Sequence, residues 1–203
     1  MAARTPATLL AGAALLLGVG LCGCSTPARS QSAARPAAGP APSAAADSFR
    51  SSRTYRAVPL PVRVRIPTAG VDSVLERLGR VADGTMALPS RADRAGWYAE
   101  GPRPGQPGPA VVIGLVDWDH SPAVFFHLQE LRPGDLVYVD RADRSAARFR
   151  VTGLSRVPKS RFPTDLVFAP TLEPSLRLVT CGGSFDHAAG SYRDNVIVFA
   201  VPT

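Results

Sequence analysis

The sequence predicts an all-β domain, a sandwich or barrel of many short strands, on two observations. Short apolar runs recur from residue 59 to the C-terminus, and turn signals such as Arg132-Pro133-Gly134-Asp135 and Gly182-Gly183 punctuate them. The first run, Val62-Arg63-Val64-Arg65-Ile66, alternates with the period of a half-buried strand. Further strands are predicted at 110–116, 124–128, 136–139, 149–154, 176–180 and 196–201. One helix is expected over 71–80, where Val71, Val74, Leu75 and Leu78 keep helical spacing. No internal repeat is evident. At about 145 residues, the segment 59–203 is long enough to bury a core unaided.

Two zones precede it. Arg4 supplies a positive start, and the eighteen residues 7–24 carry no charge, which reads as a signal peptide or a short anchoring helix. Within this stretch Leu21-Cys22-Gly23-Cys24 resembles a lipobox, in which Cys24 would be lipidated after cleavage. Lipid anchor and uncleaved helix both remain open, and both place the rest of the chain outside the cytoplasm. Residues 25–58 are rich in Ala, Pro, Ser and Arg, with almost no large apolar side chains. Such a stretch cannot bury enough surface to offset its ordering entropy and reads as a disordered tether. The expected organisation is therefore 1–24 signal or anchor, 25–58 linker and 59–203 folded domain.

Charge excludes one class of partner. The formal net charge is +7, but residues 1–58 hold six arginines against the single acid Asp47. That leaves 17 basic and 15 acidic residues in 59–203, a net +2. No basic stripe interleaved with aromatics appears there, so no nucleic-acid partner is expected. The basic tail suits a position near anionic lipid or wall polymer.

With Cys22 and Cys24 in the signal region, Cys181 is the only thiol left in the folded domain. A single cysteine in an exported chain has no intramolecular partner, so it is either a buried apolar residue or a free reactive thiol. It follows Leu176-Arg177-Leu178-Val179-Thr180 and precedes Gly182-Gly183, which predicts a strand end opening into a loop. Twelve residues on, Tyr192-Arg193-Asp194-Asn195 leads into the last strand. A hairpin would return the Arg193 guanidinium toward the sulfur, where its fixed charge favours a thiolate and stabilises an oxyanion. The bland alternative for Arg193 is a surface ion pair with Asp186 or Asp194.

Leu178-Val179-Thr180-Cys181, with an arginine before the terminal strand, resembles the signature of sortases, the cell-surface cysteine transpeptidases. Several other stretches look like the class F sortases: Pro61-Val62-Arg63-Val64-Arg65-Ile66-Pro67, Asp93-Arg94-Ala95-Gly96-Trp97-Tyr98, Gly101-Pro102-Arg103-Pro104-Gly105 with Gly108-Pro109-Ala110, and Gly182-Gly183-Ser184-Phe185-Asp186. The resemblance covers 59–203. It implies a closed eight-stranded β-barrel with one or two short helices. It also implies attack of a thiolate on a Leu-Pro-x-Thr-Gly-type sorting signal, with an amine of the cell wall resolving the acyl-enzyme. By resemblance Cys181 is the nucleophile, Arg193 the oxyanion stabiliser and Thr180 a neighbour of the thioester. No cofactor is implied.

One position departs from the pattern. The family carries a histidine in Gly-His-Val-Asp, as general acid for the departing amine, whereas this chain reads Gly114-Leu115-Val116-Asp117. Leucine donates no proton, and losing such a group typically costs about 10²–10⁴-fold in rate. His120, five residues on, is the first candidate for a relocated acid; His187, between Cys181 and Arg193, is the second, and His127 reads as structural. Asp117, Asp119 and His120 lack a second clustered pair, so no metal site is assigned. Three readings stay open: a transpeptidase with a relocated acid, a silent sortase-like domain that binds sorting-signal peptides, and a scaffold that keeps only the barrel.

Overall fold

A computed structural model describes residues 57–203. The N-terminal signal or anchor, Cys24 and all but the end of the tether lie outside the described residues. The strands are β1 (Pro61–Ile66), β2 (Val71–Leu78), β3 (Ala95–Tyr98), β4 (Gly108–Gly114), β5 (Asp117–Trp118), β6 (Ser121–Pro122), β7 (Leu136–Arg141), β8 (Ala146–Pro158), β9 (Pro174–Asp186) and β10 (Ser191–Pro202). The one α-helix among them is the short α1 (Thr164–Phe168). Eight strands close a barrel in the order β1-β2-β3-β4-β9-β10-β8-β7, with β7 pairing back onto β1. Closure leaves no open sheet edge. β5 and β6 form a separate two-stranded hairpin. No helix among the described residues is long and apolar enough to cross a membrane.

Most predicted strands appear, longer than their apolar runs, because pairing carries the ladder into polar residues that face water. The expected helix over 71–80 is instead strand β2. Val71, Ser73 and Leu75 are buried on alternate positions, and Val74, counted for the helix, is exposed. Serine at an inward position hid the period of two. The Ser73 hydroxyl donates to the Asp93 carbonyl at 2.9 Å and accepts from the Ala95 amide at 2.9 Å, so burial leaves it satisfied. A 3-10 turn at Pro67–Ala69, ended by Gly70 at φ +64°, folds β2 back on β1.

The run 124–128 is likewise not a strand. It is a turn leading into a 3-10 segment at Leu128–Glu130, and Phe125 and Leu128 insert together into the barrel core. Their spacing of three is that of a tight turn. Phe125 is 0% exposed and lies against Gly114, whose α-carbon leaves no room for a side chain beside the ring. Phe125→Ala is therefore expected to destabilise the domain by about 3–5 kcal/mol, measurable by chemical denaturation. β3 had no signal of its own: Ala95-Gly96-Trp97-Tyr98 is short, and burial on both faces removes any alternation.

The core divides at the wall. Leu176 and Leu178 of β9 and Val198 and Ala200 of β10 face the barrel interior. Val111, Val179 and Ile197 face outward, into a smaller cluster with Tyr98 that Val167 of α1 caps.

Candidate active site

Residue parity along β9 places Cys181. Leu176, Leu178 and Thr180 share the inward face, whereas Val179 is in the outer cluster, so Cys181 projects outward and is half-buried. It does not end a strand. Gly182 continues the ladder opposite Asp194, and β9 runs on to Asp186. The expected glycine turn is a β-bulge: Tyr192 pairs with Phe185 and Asp194 with Gly182, leaving one extra residue on β9. Gly183, at φ +76° and pressed against the Asp194 carboxylate, meets a conformation and a spacing that no side chain suits.

Arg193 follows from the partner strand. Ile197 faces outward, Asn195 pairs with Cys181, and two more residues return Arg193 to the same outer face. The bulge sits in β9, so the alternation of β10 is undisturbed. The Arg193 side chain is 66% exposed, and its Nη2 lies 3.3 Å from the Asp186 carboxylate, so the surface ion pair weighed from the sequence is formed. Asp186 is held below its ordinary carboxylate range, first by the Ala189 amide and then by the Arg193 charge and the Ala188 amide, against the opposing effect of burial. Thr180 lies on the other side of the wall. It is 3% exposed, and its hydroxyl has no hydrogen-bond partner among the described residues.

The parallel ladder of β4 with β9 ends at the pair Ile113 and Val179, and Leu115 follows the last residue of β4. Leu115 also accepts the Phe125 amide at its carbonyl, 2.9 Å away. His120 occupies the two-residue turn of the β5–β6 hairpin with Asp119, both at positive φ (60° and 48°), and is exposed. That geometry is a type I′ turn. His120 and His187 line the same cleft of ≈ 490 Å³, together with Asp117 and Tyr192. His127 is apart from them, with its ring nitrogen 2.9 Å from Glu130.

Sequence reading missed Tyr192. Its hydroxyl donates to Asp117 at 2.7 Å, which fastens the β5–β6 hairpin to β10. That hydrogen bond, burial and the negative charge of Asp117 hold the phenol above its ordinary value. The one available signal was Tyr192's place immediately before Arg193, and nothing in the sequence linked it to Asp117. Because the folded pKa is raised, Tyr192 contributes stability that is fully present below the unfolded value of about 10 and is lost as pH rises through the folded one. Titrating tyrosinate absorbance should show one late phenol that moves to lower pH in Asp117→Asn and disappears in Tyr192→Phe.

A family model described as Sortase domain matches residues 64–203. Among solved structures, sortase C-1 from Actinomyces oris is similar at 22% identity and a TM-score of 0.54, over 70% of this chain and 74% of that one. Sortase A from Corynebacterium diphtheriae is similar at 18% identity and a TM-score of 0.54, over 73% of this chain and 63% of that one, so less than two thirds of its length is spanned. Sortase A from Listeria monocytogenes is similar at 14% identity and a TM-score of 0.54, over 72% and 88%. At these identities the likeness shows the fold. No curated protein sequence matches the chain. With the family match running from β1 to the C-terminus and the barrel closed as in these structures, the chain belongs to the sortase family.

Proposed function

We propose that this chain is a surface-anchored, class F-like cysteine transpeptidase that cleaves a Leu-Pro-x-Thr-Gly-type sorting signal through an acyl-enzyme on Cys181. The observation that supports the reading is the strand register: Cys181 pairs with Asn195, so Arg193, two residues before Asn195 on β10, has the same outward parity as the half-buried Cys181. The thiolate attacks the Thr–Gly carbonyl, Arg193 stabilises the oxyanion that forms, and the departing amine takes a proton from His120. An amine of the cell wall then attacks the thioester. His120 is preferred over His187 because the Asp117–Tyr192 hydrogen bond holds its hairpin beside the cleft.

The second reading is a silent domain that binds sorting signals without cleaving them. Leucine at position 115 favours it, as does the engagement of Arg193 by Asp186. A quenched fluorescent Leu-Pro-x-Thr-Gly peptide separates the two. Turnover by the wild-type chain that is lost in Cys181→Ala supports the transpeptidase. Tight binding with no cleavage, by wild type and Cys181→Ala alike, supports the silent domain.

Anchoring is part of the same proposal, with the membrane reached through lipidated Cys24 or an uncleaved helix. The intact mass of the membrane-extracted chain distinguishes them: a chain beginning at a diacylated Cys24, or one retaining residues 1–23.

A further inference from the structure

Strand β8 carries three arginines, Arg148, Arg150 and Arg156, and no acid, so it alone exceeds the net +2 of residues 59–203. Arg148 and Arg150 are exposed on its outer face, alternating with the inward Ala147, Phe149 and Val151. Register sets them in two neighbouring rows across the wall: Arg65, Tyr138 and Arg148 in one, Leu136, Arg150 and Val201 in the other. Each guanidinium therefore has an aromatic or apolar neighbour. The acids beside these rows are already taken, Asp140 by both arms of Arg65 at 2.8 Å and Asp72 by Arg63. Arg148 donates to the Thr203 hydroxyl at 2.6 Å, and neither it nor Arg150 has an acidic partner among the described residues. The chain also enters the barrel here. Ala142, in the β7–β8 turn, donates its amide to the Leu60 carbonyl at 2.9 Å, and Arg144 stands exposed in the same turn. Residues 1–56, outside the described structure, join it at this side, and 25–58 hold five arginines against Asp47.

We propose that the outer face of β7 and β8, centred on Arg148 and Arg150, docks on the anionic lipid surface of the membrane that anchors the chain. The proposal rests on the anchoring reading for the nearness of the bilayer and on charge complementarity for the contact. Residues 25–58 keep the domain within their reach of the lipid, so docking is intramolecular and weak contacts suffice. Each basic side chain near an anionic bilayer favours the bound state about fivefold. Tyr138 and the 42% exposed Val201 stand beside the charges and suit the headgroup region, where amphipathic rings and apolar side chains settle. The docking face is separate from the catalytic one. Cys181 pairs with Asn195 and Asn195 with Val157, which lies seven residues beyond Arg150, about 23 Å along β8. Docking thus holds the barrel by one face and leaves Cys181 open to peptide.

The test is phenylglyoxal modification of arginines, mapped by mass spectrometry, on the membrane-extracted full chain reconstituted into vesicles. In vesicles of equal parts phosphatidylglycerol and phosphatidylcholine, Arg148 and Arg150 should react at least about fivefold more slowly than in pure phosphatidylcholine. Exposed Arg161, beyond the far end of β8, should react alike in both. High salt should abolish the difference. In Arg148→Gln/Arg150→Gln, Arg144 at the adjoining turn should lose the protection it shows in the wild type. Equal reactivity of Arg148 and Arg150 in the two vesicle types, or protection of Arg144 that survives the double substitution, would overturn the docking. Protection produced only by poly(glycerol phosphate) added to pure phosphatidylcholine vesicles would overturn it too, by giving the face to a wall polymer. A chain that does not float with pure phosphatidylcholine vesicles, yet is protected by those containing phosphatidylglycerol, upholds the docking and sinks the anchoring reading instead.

Discussion

Exchanging His120 for alanine is expected to lower sorting-signal cleavage about 10²–10⁴-fold, and adding Leu115→His to that variant should restore most of the loss. The expectation follows from the leaving group. Amines depart poorly unless protonated, and the residue that follows β4, where the sequence resemblance expects a histidine, is Leu115. A proton must come from another group in the cleft, and His120 sits on a hairpin fixed by the Tyr192–Asp117 hydrogen bond. The double variant checks geometry as well as chemistry, since rescue requires that a histidine at 115 reach the departing amine. His187→Ala is the control. If it proves the damaging substitution while His120→Ala is silent, the acid belongs on the β9–β10 loop.

Arg193→Ala is expected to reduce the rate of thioester formation about 10²–10³-fold, the range for removing one oxyanion donor, with little effect on folding because the side chain is largely exposed. Lysine is expected to rescue only part of it, since a point charge lacks the planar fork of the guanidinium. The ion pair with Asp186 makes a second, opposite expectation. If that carboxylate restrains the guanidinium, Asp186→Asn frees it and leaves acylation unchanged or faster. A loss in Asp186→Asn as deep as in Arg193→Ala would instead show that the pair works as one unit. The Asp186 carboxylate is held below its usual range, so its contribution to the loop is present above about pH 3.9 and is lost as pH falls through the lower folded value.

Much of this site was legible in the sequence because it lies on one hairpin. Cys181 and Arg193 are near each other in the chain, and strand parity alone decides that both face outward. The same parity hid the burial of Thr180, which looks in sequence like part of the reactive segment and belongs in space to the core. Gly182-Gly183 read as a turn because glycine pairs usually are turns. Here one glycine avoids the Val196 side chain across the ladder and the other forms a bulge, and both are demands of tertiary packing. The false helix at 71–80 has a similar cause, since a buried serine satisfied by β3 leaves no apolar mark. The Asp117–Tyr192 contact joins residues 75 positions apart, a separation at which no local pattern operates.

Transpeptidation through an acyl-enzyme requires a covalent bond to one sulfur. The full chain, incubated with a Leu-Pro-x-Thr-Gly-type peptide and quenched in acid, should gain the mass of the peptide through its threonine. Fragmentation should place that mass on Cys181, hydroxylamine should remove it, and Cys181→Ala should never acquire it. Peptide cleavage that persists in Cys181→Ala, or an adduct that maps to any other residue, would contradict the reading.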